Sequence, residues 1–282
     1  MLQKSYNGKN ALYIVPTPIG NLKDMTERAI EILNAVDYIF AEDTRTSSVL
    51  LNHFNIKKSL VPCHKFNEDT VKNKALDILA SGKSIALISD QGTPLISDPG
   101  YITVNEIIKN GYNVIALPGA CAFLPALNMS GISSDKFLFY GFLSSKPAEA
   151  KKELESLKRL NFTLILYEAP HRLDKTLQNI AEILGNRTIS ISREITKLHE
   201  EVFRGNVLDA IDETKNAKGE FVIVVEGNTE KEDVNLESLL SEVNYLVSNG
   251  MREGEAIKYI ASRNNISKNV LYNSYHRGES WN

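Results

Sequence analysis

The chain has 282 residues, enough for about two domains with cores of their own, and its 43% hydrophobic and 24% charged content is that of an ordinary soluble globular protein. A formal net charge of -3 excludes a uniformly basic coat for nucleic acid, so any such surface has to be local. Two cysteines, Cys63 and Cys121, exclude a disulfide framework, no apolar run approaches the roughly 18 residues of a membrane span, and the start of the chain lacks a signal peptide's apolar region. The expectation is a cytoplasmic protein with no membrane partner.

Residues 12–15 (LYIV) read as a first strand that stops at Pro16-Thr17-Pro18-Ile19-Gly20-Asn21. The two prolines restrict that turn, and the G-x-G-x-x-G of a dinucleotide site is missing from it. Thr26 is placed to cap a helix over 27–36, and residues 38–41 form a second strand that runs into Glu42-Asp43-Thr44-Arg45. A helix over 47–54, a strand over 59–63 and a helix over 71–80 follow. The fourth strand, 85–88 (IALI), breaks sharply at Ser89-Asp90-Gln91-Gly92-Thr93-Pro94. Asp98 then reads as the N-cap, and Pro99 as the first residue, of a helix that Gly111 ends. A fifth strand over 113–117 is broken by Pro118-Gly119 before Cys121 and another helix. Five strands alternating with helices predict a parallel sheet covered on both faces.

Residues 131–136 read as a joint. Beyond it lie FLFYGF, a charged helix over 147–160, FTLILYEA, a helix over 171–184, TISISREI and EFVIVVEG, a pattern with fewer crossovers that predicts a mixed α/β unit. A polar linker over 228–235 precedes helices over 236–250, 253–264 and 268–276, the last with Ser267 as N-cap. The predicted domains are 1–130, 131–230 and 231–282. The last is either a structural cap or a helix-turn-helix-like unit touching nucleic acid. Arg252, Lys258, Arg263, Lys268, Arg277, Tyr272, Tyr275 and Trp281 favour contact with nucleic acid, and Glu253, Glu255 and Glu279 dilute it.

Several tempting motifs fail. Ser81-Gly82-Lys83-Ser84 lacks the first glycine of a phosphate loop and ends a helix instead of following a strand. His199-Glu200 has Phe203 where a zinc helix needs its second histidine, and no other histidines or cysteines pair at ligand spacing, so no metal is expected. G-x-S-x-G is absent. What remains is a series of polar clusters, each directly after a predicted strand: 18–21, 42–45, His64, 90–94, 118–121 and 168–172. In a parallel sheet such ends share one edge, where ligands bind. A further charged knot holds Glu194, Lys197, His199, Glu200 and Glu201.

These clusters, as EDTRT, SDQGTPLISDPG, PGAC, EAPHR, REITKLHEE and GEFVIVVEG in that order, resemble the tetrapyrrole-methylase superfamily, and within it the branch that methylates ribosomal RNA. The resemblance runs from Leu12 to Gly227, and the C-terminal helices fit that branch's extra domain. It implies two α/β domains with the cofactor cleft between them, plus a small C-terminal helical domain. It also implies a homodimer that uses S-adenosyl-L-methionine to methylate a ribose 2′-hydroxyl. The substrate would be a cytidine in the decoding region of 16S rRNA, in the small ribosomal subunit. Carried over by motif, Pro18, Asp90, Gly92, Thr93, Cys121, Ala122, Leu166, Tyr167 and Phe221 would surround the donor. The chain departs from the pattern at Phe66, Gln91, Ala120 and Ser144.

A ribose hydroxyl is a poor acid and needs a base as the new bond forms. Asp43, Glu42, His64 and Glu168 are the candidates. Arg45, Arg172 and Lys197 are the cations placed to hold RNA phosphates. Two other readings stay open at this point: methylation of a tetrapyrrole carbon on the same architecture, and a non-catalytic RNA-binding assembly factor.

Overall fold

The computed structural model describes residues 2–5, 7–229, 236–264 and 266–277. The chain divides into two compact units, one through Asn228 and one from Thr229 onward. The first unit opens with β1 (Ala11–Ile14), α1 (Glu27–Ala35), β2 (Tyr38–Ala41), α2 (Thr44–His53), β3 (Ser59–Pro62), α3 (Glu68–Ala80), β4 (Ile85–Ile88), α4 (Tyr101–Lys109), β5 (Asn113–Ala116) and α5 (Phe123–Ser130). The five strands form one sheet in the order β3-β2-β4-β1-β5, and every pairing is parallel. β4 is buried at all four positions, as a central strand covered on both faces must be. Thr26 caps α1 by accepting from the Ala29 N–H.

The same unit continues with β6 (Phe137–Phe142), α6 (Pro147–Leu157), β7 (Thr163–Glu168), α7 (Leu173–Leu184), β8 (Thr188–Arg193), β9 (Glu201–Asn206), α8 (Val207–Glu213) and β10 (Phe221–Val225). Their sheet runs β6-β7-β10-β8-β9, with β6 and β7 parallel and the other pairs antiparallel. β10, the last strand in the chain, therefore lies in the middle. α5 leaves the first sheet and packs across the second. Ala126 and Leu127 share a buried cluster there with Ile19, Ile165, Ile195, Val222 and Val224. That cluster joins the two sheets.

The structure corrects the sequence reading at several points. α4 begins at Tyr101 behind Gly100 (φ 119), so Asp98 is not its cap and Pro99 is not its first residue. Leu95 and Ser97 adopt positive φ (74 and 67), which folds the loop back and turns Asp98 away from the helix. The Ile102 N–H at the start of α4 finds the Glu68 carboxylate instead, at 3.0 Å. β9 and α8 went unpredicted. β9 is an edge strand whose residues are exposed or half-buried, so it has no apolar run to mark it. Glu201 of the charged knot belongs to it and pairs with Arg193 across the ladder at 2.6 Å.

The second unit holds α9 (Leu236–Ser248), α10 (Glu253–Arg263) and α11 (Lys268–Arg277) around Val243, Ile257, Ile260 and Leu271. Arg263 is ion-paired with Glu242, and His276 Nε2 stands 2.9 Å from Glu253 Oε1. Residues 230–235 of the predicted linker, the turn residue Asn265, and Glu279 and Trp281 lie outside the described residues. Among the described residues no helix is long and apolar enough to cross a membrane.

Gly119 is the tightest meeting of two strand-end loops in the first sheet. A Cβ there would stand 2.5 Å from Pro16 Cβ and 2.8 Å from Pro16 Cγ. A rigid ring cannot give way, so Gly119→Ala is expected to destabilise the protein by about 1–3 kcal/mol. Urea unfolding reads this as a lower midpoint with an unchanged slope.

Candidate functional site

A cavity of about 570 Å³ opens between the two sheets, within the size range of small-molecule sites. Its first wall is made by residues that follow strands of the first sheet: Ile19 after β1, Glu42 after β2, the loop 90–98 after β4, and Cys121 and Ala122 after β5. The second wall comes from Phe142, Tyr167 to His171, Ile195 and Glu220 to Val222. β10 can contribute because it is antiparallel. Pairing of Phe221 with Glu168 and with Arg193 brings its beginning to the ends of β7 and β8.

The loop after β4 is the hub of the first wall. Thr17 and Gly92 exchange backbone hydrogen bonds of 2.8 and 3.0 Å, which clasps the loops after β1 and β4 together. Gly92 has φ 85, and a Cβ there would crowd Ile19 Cγ2 at 3.2 Å, so glycine meets both demands. The Asp90 carboxylate accepts from the Asp43 N–H at 3.1 Å, tying in β2. Thr93 Oγ1 donates to the Ala120 carbonyl at 2.8 Å, tying in β5. Positive φ at Glu194 (51) and Thr196 (71) flanks Ile195 on the opposite wall, as at Leu95 and Ser97 on the first. Strain held in place on both sides of one cavity is a mark of a functional site.

Glu42, Asp90 and Asp98 place three carboxylates on one wall, and among the described residues no lysine or arginine lines the cavity. Burial, together with the nearby Asp90 charge, pushes the Asp98 carboxyl up to about 6 despite a hydrogen bond from Ser89. Glu42 is also raised, first by burial and then by the charges of Asp98, Asp90 and Asp43. Burial raises Asp90 as well, partly offset by the Asp43 N–H. Deeper in, burial pushes up the Cys121 thiol, which hydrogen-bonds with Tyr167 and Thr93. Ile19, Ile195, Phe221 and Val222 supply an apolar shelf. The arrangement suits a ligand with a flat apolar part at one end and positive charge or hydroxyl donors at the other.

Of the residues singled out in the sequence, Glu42, Asp90, Gly92, Thr93, Cys121, Ala122, Tyr167, Glu168 and Phe221 all line the cavity. Pro18 does not; it is buried behind the wall, and Ile19 takes the place. Leu166 does not either. Strand alternation sends it to the opposite face of its sheet, into the core with Leu164 and Leu177, while Ile165 and Tyr167 face the seam between the sheets. Asp43 is the N-cap of α2 and a bidentate partner of Arg45, which holds its carboxyl down at about 2. His64 leaves β3 outside the cavity wall, and its Nδ1 is buried without a partner.

The three cations placed on phosphates are each engaged elsewhere. Arg45 is held by Asp43. Arg172 points inward, with Nη2 donating to the carbonyls of Leu143 (2.7 Å) and Ser144 (3.1 Å) and Nε 3.2 Å from Glu168. Lys197 bridges Glu194 and Glu220. Glu168 is only 3% exposed and also accepts from Thr176 Oγ1 and the Ala169 N–H, so its lone pairs are spent on the fold. Asp98 and His171 line the cavity and were missed as site residues. The signal for Asp98 was its place as the second acid of the SDQGTPLISDPG loop, where a cap reading competed. His171 stands in the 168–172 cluster and the EAPHR motif, but neither gives it a role of its own. Among the described residues no group of three histidine, cysteine or acidic side chains is arranged to hold a metal ion.

Residues 11–211 match the family model described as Tetrapyrrole (Corrin/Porphyrin) Methylases. The chain is 46% identical to a ribosomal RNA small subunit methyltransferase I of Halalkalibacterium halodurans, covering 98% of this chain and 99% of that one. It is also 46% identical to the protein of the same name from Bacillus subtilis, covering 97% and 98%. Among solved structures it is similar to a uroporphyrin-III-C-methyltransferase of Thermus thermophilus, with a TM-score of 0.57 at 18% identity, covering 77% of this chain and 94% of that one. A diphthine synthase matches with a TM-score of 0.59 at 15% identity, covering 79% and 92%. At such identities the structural likeness speaks for the fold.

Asp98 carries a stability signature. Its folded pKa of about 6 lies above the ordinary 3.8, so the fold favours the protonated form. That contribution is complete below about 4 and is lost as pH rises through 6. Asp98→Asn removes the ionisation, so its melting temperature should exceed that of the parent protein at pH 7.5. The gap should close on acidification to pH 4 in a calorimetric pH series.

Proposed function

The chain belongs to the tetrapyrrole (corrin/porphyrin) methylase family, and from that premise we propose that it is a cytoplasmic methyltransferase that uses S-adenosyl-L-methionine to methylate the ribose 2′-hydroxyl of a cytidine in the decoding region of 16S rRNA. The observation that carries this reading is end-to-end likeness, at 46% identity, to enzymes named for methylating the RNA of the small ribosomal subunit. A homodimer acting on the small subunit is part of the same proposal.

The cavity fits such a donor. Ile19, Ile195 and Val222 offer an apolar slot for a nucleobase, and Phe221 closes it. Gly92, free of a side chain, lets backbone approach the ligand. Asp90 and Asp98 suit the ammonium group and the ribose hydroxyls. When bound, the donor supplies an electrophilic methyl group carried on a sulfonium. A full negative charge against that sulfur would favour the ground state over the charge-dispersed transition state, so these carboxylates serve binding best at the ends of the ligand. The two walls act chiefly by alignment, which is worth up to roughly 7–11 kcal/mol.

Among the base candidates, Glu42 combines a place in the cavity with a carboxylate that makes no hydrogen bond or ion pair among the described residues. Glu168 is locked into the fold, and Asp43 and His64 stand outside the cavity wall. Glu42 takes the hydroxyl proton as the oxygen–carbon bond forms. Its raised pKa, from burial and three neighbouring acids, makes it a better base than an ordinary carboxylate.

The reading is tested by incubating the protein and labelled donor with undermethylated small subunits, then mapping ribose methylation by mass spectrometry. Methyl groups on a base, or only on a porphyrin precursor, would overturn it. Glu42→Gln should lower kcat by about 10²–10⁴-fold, the range for loss of a general base. The parent kcat should fall as pH drops through a value above the usual carboxylate range, since the deprotonated form does the work. Asp90→Ala should weaken donor binding measured by titration calorimetry.

A further inference from the structure

With Arg45, Arg172 and Lys197 each held by carboxylates, and no lysine or arginine on the cavity wall, an RNA strand reaching the cavity meets no free cluster of cations among the described residues there. What the same edge leaves exposed is aromatic. The Cys63 N–H donates to the Ala41 carbonyl at 2.8 Å, so the segment His64-Lys65-Phe66 emerges beside Glu42. The Glu68 carboxylate on the Ile102 N–H holds the start of α4 against the start of α3, and Tyr101 follows three residues after the cavity-lining Asp98, as Phe66 comes two residues before Glu68. Phe66 is 93% exposed and Tyr101 70%. Across the cavity, Phe142 is 50% exposed and lies edge-on to Tyr167 at 5.5 Å, which extends aromatic surface to the second wall.

We propose that Phe66 and Tyr101 form a stacking platform for unpaired bases of the RNA next to the target nucleotide, with Lys65 on the backbone. Lys65 is exposed and makes no ion pair among the described residues. The proposal rests on the ribosomal-RNA reading and deepens it by naming how the strand is held. Ribose chemistry inside a cavity requires a nucleotide drawn out of its helix, and neighbours that lose their stacking partners gain new ones on exposed rings. Stacking also suits a rim beside three carboxylates, because an aromatic face binds a base without a cation. A second copy of the chain is the competing occupant of so exposed a patch.

The test uses full-length protein and undermethylated small subunits. Phe66→Ala with Tyr101→Ala should raise KM for the subunits by about 5- to 100-fold, the range that base stacking supplies. Donor affinity by calorimetry should stay at the parent value. Phe66→Tyr should restore the KM, whereas Phe66→Leu, apolar but without a π face, should not. A Leu variant that matches the parent, or an Ala variant whose sedimentation shifts from dimer to monomer, would overturn the platform and leave the methyltransferase reading intact. A parent protein that transfers no methyl group to the subunits would remove both.

Discussion

The pair of backbone hydrogen bonds between Thr17 and Gly92 is the constraint on which the site depends. β1 and β4 are neighbours in the sheet, and their connecting loops leave on the same edge. Left alone, each loop would be mobile surface chain. Clasped to each other, and then to β2 through Asp90 and to β5 through Thr93, they become one rigid shelf. Positive φ at Leu95 and Ser97 is held only because so many contacts fix the loop on either side. The shelf stands where a glycine-rich phosphate loop would stand, with different chemistry. It offers carboxylates and a bare backbone in place of a nest of N–H donors, which suits a ligand with a positive end.

The second wall shows how charge is kept out of the way. Arg172 and Glu168 neutralise each other beneath the cavity floor, and the rest of their bonding capacity goes to the carbonyls of Leu143 and Ser144, the Ala169 N–H and Thr176. A pair bonded at so many points, with its carboxylate buried, braces the segment 168–171 that lines the cavity. Removing either partner would leave a stranded charge, which is far more costly than the pair itself. Lys197 does similar work at the rim. Its stem lies against Gly20, where any Cβ would stand 2.4 Å from Lys197 Cγ, so the charged knot of the second sheet presses on the loop after β1.

Much of this was legible in the sequence. Short apolar runs such as Ile85–Ile88, each ending in Gly, Pro or acid, marked the strands and the edge where they stop. Six motifs in order pointed to the family, and Gly92, Asp90 and Cys121 from those motifs line the cavity between the sheets. Direction was what the sequence could not carry. Arg172 and Lys197 read as surface cations although Glu168 and Glu194 stand one turn before them, because nothing local announces the more distant groups at residues 143, 144 and 220 that complete their bonding. Leu166 and Tyr167 look equivalent until the pleat sends them to opposite faces. Asp98 looked like a cap because Asp-Pro before an apolar run usually is one, and only the left-handed residues ahead of it turn the side chain into the cavity. β9 was invisible because an edge strand need not be apolar.

The position of β10 has a consequence for how the molecule is made. It is the last strand of its sheet to be synthesised, yet it is the middle one, with β7 on one side and β8 on the other. Until it inserts, the sheet consists of a parallel β6-β7 pair and an antiparallel β8-β9 pair with open edges, and the Gly92 shelf faces an unfinished wall. All five strands of the first sheet precede β10 in the chain, so a nascent chain carries half a cavity while it waits for β10. A ligand that touches both Gly92 and Phe221 can bind only after that wait ends, so occupancy of the site reports that the whole unit has folded.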